Sequence, residues 1–445
     1  KYMNLKISLI LLLFAATLTN AQQKKWSIEE CINYALENNI DVEQLELQLE
    51  STKLGESDAL GDFLPSLNGS TNGSWSKGSG FDQTTNQRVS GTFFSLNAGL
   101  SSGVTLFNGL RNIHNYNKAK LNTIASQYRL DGTKDNIVLN VANAYLDVLA
   151  AKESLKVIVL QSELSDKDYE RTKALVEAGT VPKGDLLELE ATIADYEQQK
   201  VNGENNVVLR RLFLAQLLQI TDYQNFDIAE SSYEVPPSEI YNYTAKEVYD
   251  KALTIRGNIK LADTNIDIAE KDVKIAKGAL YPTLNASIGY NTSYSSFVKR
   301  ITNASFTDQL SENDGIGYGM SLSVPVFNGF SVRNNIRRSK LNLEQTKLQA
   351  EQEKLALEAS INQAYLDVRS FGKRYEAAQK TYDARKQAYD FAKERFDVGL
   401  MNAFDFSQSQ SRLDNAAVDV VNAKYNYIFR IKILEIYYGI PVTLE

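Results

Sequence analysis

Apolar residues recur at intervals of seven in two long stretches of the chain. In the second, Ile361, Val368, Tyr375, Tyr382, Tyr389 and Phe396 share one position of the repeat. Ala364, Phe371, Ala378 and Ala392 share the companion position, where Arg385 is the one interruption. The first stretch keeps the spacing with Val141, Val148, Leu155, Tyr169 and Val176, weakened by Ser162 and Ser165. A sustained heptad is the seam of a coiled coil. Both seams lie in a larger duplication. Residues 110–176 follow Phe107-Asn108-Gly109, contain Asn143-Ala144-Tyr145-Leu146-Asp147-Val148 and lead to Glu177-Ala178-Gly179. At an offset of 220 (107 to 327) come Phe327-Asn328-Gly329, Gln363-Ala364-Tyr365-Leu366-Asp367-Val368 and Asp397-Val398-Gly399. Neither copy contains Pro, so each reads as one helix, roughly 100 Å long at 1.5 Å per residue.

Gly179 and Gly399 end these helices as left-handed caps. Asp185 and Asp405, six residues later, begin return helices reaching about Ile220 and Ile440. Each copy therefore contains an antiparallel helical hairpin. Upstream, Ser27-Ile28-Glu29-Glu30 is a capping box, and Thr244-Ala245-Lys246-Glu247 repeats it at an offset of 217 (27 to 244). A second helix follows each, to about Gly61 and Gly278, and stops before Pro65 and Pro282, which bias the preceding residue to extended geometry.

Past each Pro the period changes to two. Strands are expected at about 66–77, 92–106, 283–295 and 315–327, with Gly109 and Gly329 at the junctions into the long helices. Leu284, Ala286, Ile288, Tyr290, Thr292 and Tyr294 alternate with Asn285, Ser287, Gly289, Asn291 and Ser293. Ile316, Tyr318, Met320, Leu322, Val324 and Val326 alternate with small or polar residues and Pro325. Polar, Gly-rich connections are expected at 77–91 and 295–315. One apolar face opposite a face of Ser, Asn and Gly fits a solvated sheet or a membrane barrel. Strands of about 9–12 residues are long enough to span hydrocarbon when tilted. Four such strands cannot close alone, and open edges are not tolerated in lipid. Two copies would give an eight-stranded barrel with a side-chain-filled interior; three would give twelve strands around a hydrated lumen.

Composition narrows the function. The 445 residues carry a net charge of -7, against the basic stripe that nucleic acid requires. One Cys (Cys31) excludes an intramolecular disulfide framework, and one His (His114) disfavours a metal centre or a Ser-His triad. No cofactor or catalytic constellation is implied. Residues 1–21 read as a signal peptide, with Lys1 and Lys6 before an apolar run and Thr19-Asn20-Ala21 at the cleavage point. The expected organisation is a first repeat at 22–221, a linker at 222–243 containing Pro236-Pro237, and a second repeat at 244–445. The fold class is mainly α with a small β part, in two tandem structural repeats.

The paired Pro junctions, the two Phe-Asn-Gly turns, the Ala-Tyr-Leu-Asp-Val repeats and Val398-Gly399-Leu400 together resemble the TolC-type outer-membrane efflux protein family. The resemblance covers essentially the whole mature chain, and its specificity lies in motif order and duplication. It implies a homotrimer in the outer membrane, with a 12-stranded β-barrel joined to a periplasmic α-helical tunnel. It implies a passive exit channel, not an enzyme, serving efflux or type I secretion with a periplasmic adaptor protein and an inner-membrane pump. Asp405 matches an acidic position ringing the periplasmic entrance; Gln408 stands where the family has a second aspartate. Asp185 matches a position that can bond a tyrosine of the other hairpin, but that place is Phe396, so a polar latch would be absent or rebuilt. Gly179 and Val398-Gly399-Leu400 match turns where adaptor tips dock. Helix-start acids favoured by the dipole, and plain capping, account for the same residues. A surface-anchored coiled-coil scaffold or adhesin is the alternative function.

Overall fold

The computed structural model describes residues 25–82, 87–229, 234–235 and 238–441; the expected signal peptide and Pro236-Pro237 lie outside them. The chain begins with β1 (Lys25–Trp26), α1 (Ile28–Asn38), α2 (Ile40–Gly61), β2 (Ser66–Asp82) and β3 (Gln87–Phe107). The long helix α3 (Arg111–Glu177) and its return leg α4 (Lys183–Leu217) follow, then β4 (Asp227–Ile228) and a 3-10 turn at Glu239–Asn242. The second copy runs through α5 (Ala245–Ile255), α6 (Gly257–Gly278), β5 (Thr283–Ser295), α7 (Ser296–Thr302), α8 (Phe306–Glu312), β6 (Gly315–Ser323), α9 (Ser331–Asp397) and α10 (Ala403–Tyr438). Apart from α7 and α8 it repeats the first, element for element. The two expected capping boxes start α1 and α5: Ser27 accepts from the Glu30 N–H at 3.2 Å, and Thr244 from that of Glu247 at 3.3 Å. In return Glu30 and Glu247 accept from the backbone N–H of Ser27 and Thr244, at 3.0 and 2.7 Å.

Two compact units result, each drawn from both copies. The first comprises Lys1–Glu46, Arg129–Lys260 and Glu353–Glu445; the second comprises Leu47–Tyr128 and Leu261–Gln352. In the first unit the duplicated Ala-Tyr-Leu-Asp-Val motif supplies the core twice. Tyr145 and Val148 pack with Ile28, Cys31, Leu214, Ile228 and Ile428. Ala364 and Val368 pack with Val248, Ala252, Ile259, Ile361 and Ile431. Tyr145 is fully buried yet satisfied, donating to the Trp26 carbonyl at 3.2 Å. Within residues 222–243, expected as a linker, Phe226, Ile228 and Ile240 enter these cores. Asp227 and Ile228 pair in parallel with Lys25 and Trp26, and Ile228 and Ile240 are fully buried. The segment's polar composition hid these single apolar anchors.

The second unit holds a four-stranded antiparallel sheet in the order β2-β3-β5-β6. Its register puts Leu100 beside Tyr290 and Tyr290 beside Ile316, so the alternating apolar residues share one face. That face is bare: Ile316, Tyr318 and Met320 are 71%, 88% and 68% exposed. The strands differ from expectation in three places. β2 and β3 continue through the expected connection to Asp82 and Gln87, because even Gly78 and Gly91 pair in the ladder, and strand formation follows pairing more than intrinsic propensity. The expected connection at 295–315 carries the helices α7 and α8. β6 ends at Ser323 rather than residue 327, as suits Pro325, which has no N–H to give a ladder. Among the described residues no helix is long and apolar enough to cross a membrane.

The two strand-to-helix glycines differ in surroundings. Both have positive φ, +70° at Gly109 and +58° at Gly329. A Cβ on Gly109 would stand 2.2 Å from the Gly278 carbonyl oxygen, whereas one on Gly329 would meet nothing within 4 Å. The first-copy turn therefore rests against the end of the second copy's α6. Gly109→Ala is expected to combine left-handed strain of about 1–2 kcal/mol with an overpacking cost of roughly 1–3 kcal/mol. Thermal melting of the two variants should show a larger loss for Gly109→Ala than for Gly329→Ala before any assembly.

Candidate functional site

The helical hairpin tips of the first unit gather every residue singled out for the entrance and for docking. Each long helix ends in the same double bond. Gly179 N–H donates to the Val176 carbonyl at 2.9 Å and Thr180 N–H to that of Leu175 at 3.0 Å. Gly399 and Leu400 repeat this with Phe396 and Arg395, at 3.0 and 2.8 Å. These are Schellman caps, with the glycines at φ +76° and +74°. Both glycine turns are open, with no atom within 4 Å of a Cβ added there, so conformation and not crowding requires glycine. Val398 and Leu400 flank the second turn at 69% and 70% exposure, an apolar tip facing solvent.

The return helices start differently. At α10, the Asn402 side chain accepts from the Asp405 N–H at 2.8 Å and donates to its carboxylate at 3.0 Å. Asp405 thus sits exposed in the first turn, where the helix dipole favours a negative charge. Gln408 is exposed one turn further on. Asp185, in the first turn of α4, reaches across to the other hairpin and accepts from the Ala403 N–H at 3.2 Å. It satisfies a donor that the start of α10 leaves free. Phe396 stacks on Phe406 with ring centroids 4.4 Å apart and planes 2° from parallel. Of these two contacts only the Ala403–Asp185 hydrogen bond joins the two hairpins; the aromatic stack ties the two legs of the second hairpin, and neither uses a tyrosine hydroxyl.

Further cross-hairpin links escaped the sequence reading. Arg171 donates to the Asp397 carboxylate at 2.5 Å and to its carbonyl at 2.9 Å, and Lys393 pairs with Asp168 at 3.0 Å. Thr192 and Ser407 hydroxyls bond at 3.1 Å, and Tyr196 donates to Asp414. The break in the first heptad at Ser162 and Ser165 was the available signal. Ser165 is fully buried and leads into the buried Asp168 and Thr172, a polar stripe whose counterparts 220 positions on are Arg385, Ala388 and Ala392. Among the described residues no group of three or more His, Cys, Asp or Glu could hold a metal ion. The junction residues Pro65, Pro282, Gly109 and Gly329 belong to the second unit and take no part in this site.

Burial sets the electrostatics at Asp414. It pushes the carboxyl up to about 6, and the Tyr196 hydroxyl bond only partly opposes this. Burial and the nearby Asp414 carboxylate raise the Tyr196 phenol in turn, and burial followed by Asp168 and Asp414 raises Tyr389. Because the folded carboxyl titrates above its unfolded value of 3.8, the unfolded chain ionises first as pH rises. Stability therefore falls between roughly pH 4 and pH 6 and stays reduced above. Asp414→Asn should be more stable than the parent at pH 7.5, by up to about 3 kcal/mol at 1.36 kcal/mol per pH unit. The gap should close below pH 4 in melting curves; a gap independent of pH would contradict the assignment.

The sequence signature described as outer membrane efflux protein matches residues 31–218 and 248–430. Outer membrane protein TolC of Vibrio cholerae serotype O1 is 23% identical over 313 residues, covering 69% of this chain and 68% of that protein. The crystal structure of the Campylobacter jejuni CmeC outer membrane channel superposes with a TM-score of 0.77 at 18% identity, covering 93% of this chain and 85% of CmeC. The outer membrane protein VceC of Vibrio cholerae superposes with a TM-score of 0.77 at 16% identity, covering 93% of this chain and 96% of VceC.

Proposed function

The chain belongs to the outer membrane efflux protein family and is an outer-membrane exit channel; on that premise we propose that three copies close one duct fed by a periplasmic adaptor and an inner-membrane pump. The observation that carries the trimer is the pair of open sheet edges. β2 and β6 are outermost strands with one unpaired side each, while their apolar face is dressed for lipid. Strands alternate in direction from β2 to β6, so β6 of one copy meets β2 of the next in antiparallel sense, and three sheets make twelve strands.

The duplication supports the same closure in detail. Within the chain, β3 of the first copy pairs with β5 of the second, and Gly109 of the first copy lies against Gly278 of the second. Carrying these contacts one half-turn of the repeat onward pairs β6 with the β2 of a neighbouring copy, and sets Gly329 against a neighbouring Gly61. Gly61 and Gly329 are the two glycines of this set that have open space around them. The repeat also sets the register. Ser101 pairs with Gly289, so Ser321 would pair with Asn72 of the next copy. Met320 and Leu322 then fall opposite the small Gly73 and Thr71, and Tyr318 falls opposite Trp75. Leu47 and Leu54 on α2, and Leu341 and Leu348 on α9, are exposed at heptad spacing and suit the helical part of the same seams.

At the entrance, three Asp405 carboxylates would form a single acidic ring, with Gln408 adding no charge, and Asp185 would tie the two hairpins of one copy. Val398, Gly399 and Leu400, with Gly179, would present the adaptor's docking tips. The duct supplies no chemistry in this reading, and its neutral inner strand face selects little.

Reconstituted protein should run as a trimer by native mass spectrometry and conduct across planar bilayers; a stable, non-conducting monomer would contradict the proposal. Gly329→Ala, mild in the isolated chain, should lower the trimer fraction sharply, because overpacking of about 1–3 kcal/mol would recur at each of three seams. Asp405→Asn should move the reversal potential in a salt gradient toward weaker cation preference, with conductance retained.

A further inference from the structure

One element folds against the face of the sheet that the barrel reading turns inward. We propose that α7 is an inward-folded strap that narrows the external mouth of the duct and places Arg300 in a collar there. The proposal rests on the barrel reading above.

The side of the sheet follows from register. On β3 the outward face carries Phe94, Leu96, Ala98 and Leu100, paired with Trp75, Gly73, Thr71 and Gly69 of β2. The opposite face carries Ser95, Asn97, Gly99 and Ser101. The β2–β3 ladder continues without a shift to Asp82 and Gln87, so Phe93 and Gly91 stay on the inward face, as do Gly78, across from Gly91, and Gly80 two residues on. α7 packs on that side. The Phe297 ring meets Phe93 edge-on with centroids 4.8 Å apart, and lies 3.6 Å from where a Cβ on Gly80 would be. The Arg300 guanidinium stands 3.6 Å from the Cβ position of Gly91. Gly80 and Gly91 thus leave room on this face, and the Phe297 ring and the Arg300 cation, with Phe93 beside Gly91, occupy it.

Height places this contact at the mouth. The β3–β5 ladder stops at the Ser95–Ser295 pair, while β2 and β3 run on to Asp82 and Gln87. The free hairpin projects roughly 26 Å past that pair at about 3.3 Å per residue. Its end lies away from Pro65, Gly109 and Pro282, where the chain passes between sheet and helices. β5 turns directly into α7, pinned where the Ser296 hydroxyl accepts from the Phe94 N–H at 2.7 Å. α8 takes a different route, on the side of β5 that carries Thr292 and Tyr294: Thr292 donates to the Leu310 carbonyl at 2.6 Å, and Tyr294 packs on Phe306. Only α7 crosses inward. Its sequence contains Lys299 and Arg300 and no acid, so three copies would ring the exit with positive charge, opposite in sign to the Asp405 ring proposed at the entrance.

The test uses the full assembled channel in planar bilayers, with a bulky, negatively charged methanethiosulfonate added on the external side. The wild type, whose Cys31 is buried, controls for the reagent. Asn97→Cys, mid-strand on the inward face, reports whether the barrel reading holds. Arg300→Cys is expected to lose conductance in as many as three steps per channel and to shift preference toward cations. Phe297→Ala is expected to speed modification of Asn97→Cys several-fold by loosening the strap. If Asn97→Cys blocks while Arg300→Cys, modified by mass, leaves the current unchanged, the barrel stands and the strap is overturned. If neither changes the current, the inward face is misassigned and both readings fall.

Discussion

A backbone N–H or C=O left in hydrocarbon without a partner costs several kcal/mol, and this chain presents two whole strand edges in that position. The rest of the architecture follows from that constraint. The apolar residues of β6, and Ile288 and Tyr290 of β5, are exposed because lipid is to cover them, and the small polar residues behind them need only water. A monomer with this sheet is incomplete, and the same antiparallel alternation that builds it lets a further copy extend it.

The duplication turns an incomplete sheet into a specific assembly. A contact made inside the chain between the first and second copies, such as Gly109 on Gly278, has an unoccupied equivalent at Gly329 and Gly61. Where the copies diverge, function can differ along the chain. The first seam carries the polar Ser165, Asp168 and Thr172, and the second carries Tyr389 and Phe396. At the hairpin tips these unlike surfaces meet through Arg171–Asp397, Lys393–Asp168 and Tyr196–Asp414. One hairpin thus holds the other by charge and by hydrogen bonds, and burial of Asp414 ties the hold to pH.

Much of this was legible in sequence because it is periodic or capped. The heptads gave both long helices, the capping boxes gave the starts of α1 and α5, and Gly179 and Gly399 gave the turns. The two faces of the sheet followed from alternation alone. What stayed hidden depended on partners distant in sequence. Gly78 and Gly91 look like loop residues until they pair with each other. Ile228 and Ile240 sit in a polar segment whose burial only the fold reveals. Phe396 supplies no hydroxyl, and the ring it stacks on, Phe406, lies on the other leg of the same hairpin. Asp168 and Lys393 are 225 positions apart, and no local pattern announces such a pair.

The central claim is that β6 of each copy pairs with β2 of the next and that three copies complete the ring. The most direct measurement is cross-linking of a chain bearing Asn72→Cys and Ser321→Cys with a bismethanethiosulfonate short enough to bridge only neighbouring strands. Within one chain these positions lie at opposite edges of a four-stranded sheet and eight residues out of level, Asn72 beside Asn97 and Ser293 but Ser321 beside Asn285 and Thr105. At roughly 4.8 Å per strand and 3.3 Å per residue they are about 30 Å apart, beyond the reagent's reach. The account predicts covalent species of one, two and three chains, with the three-chain product accumulating as a closed ring. Cross-linked pairs that never advance to three, or ladders that run past three, would contradict it.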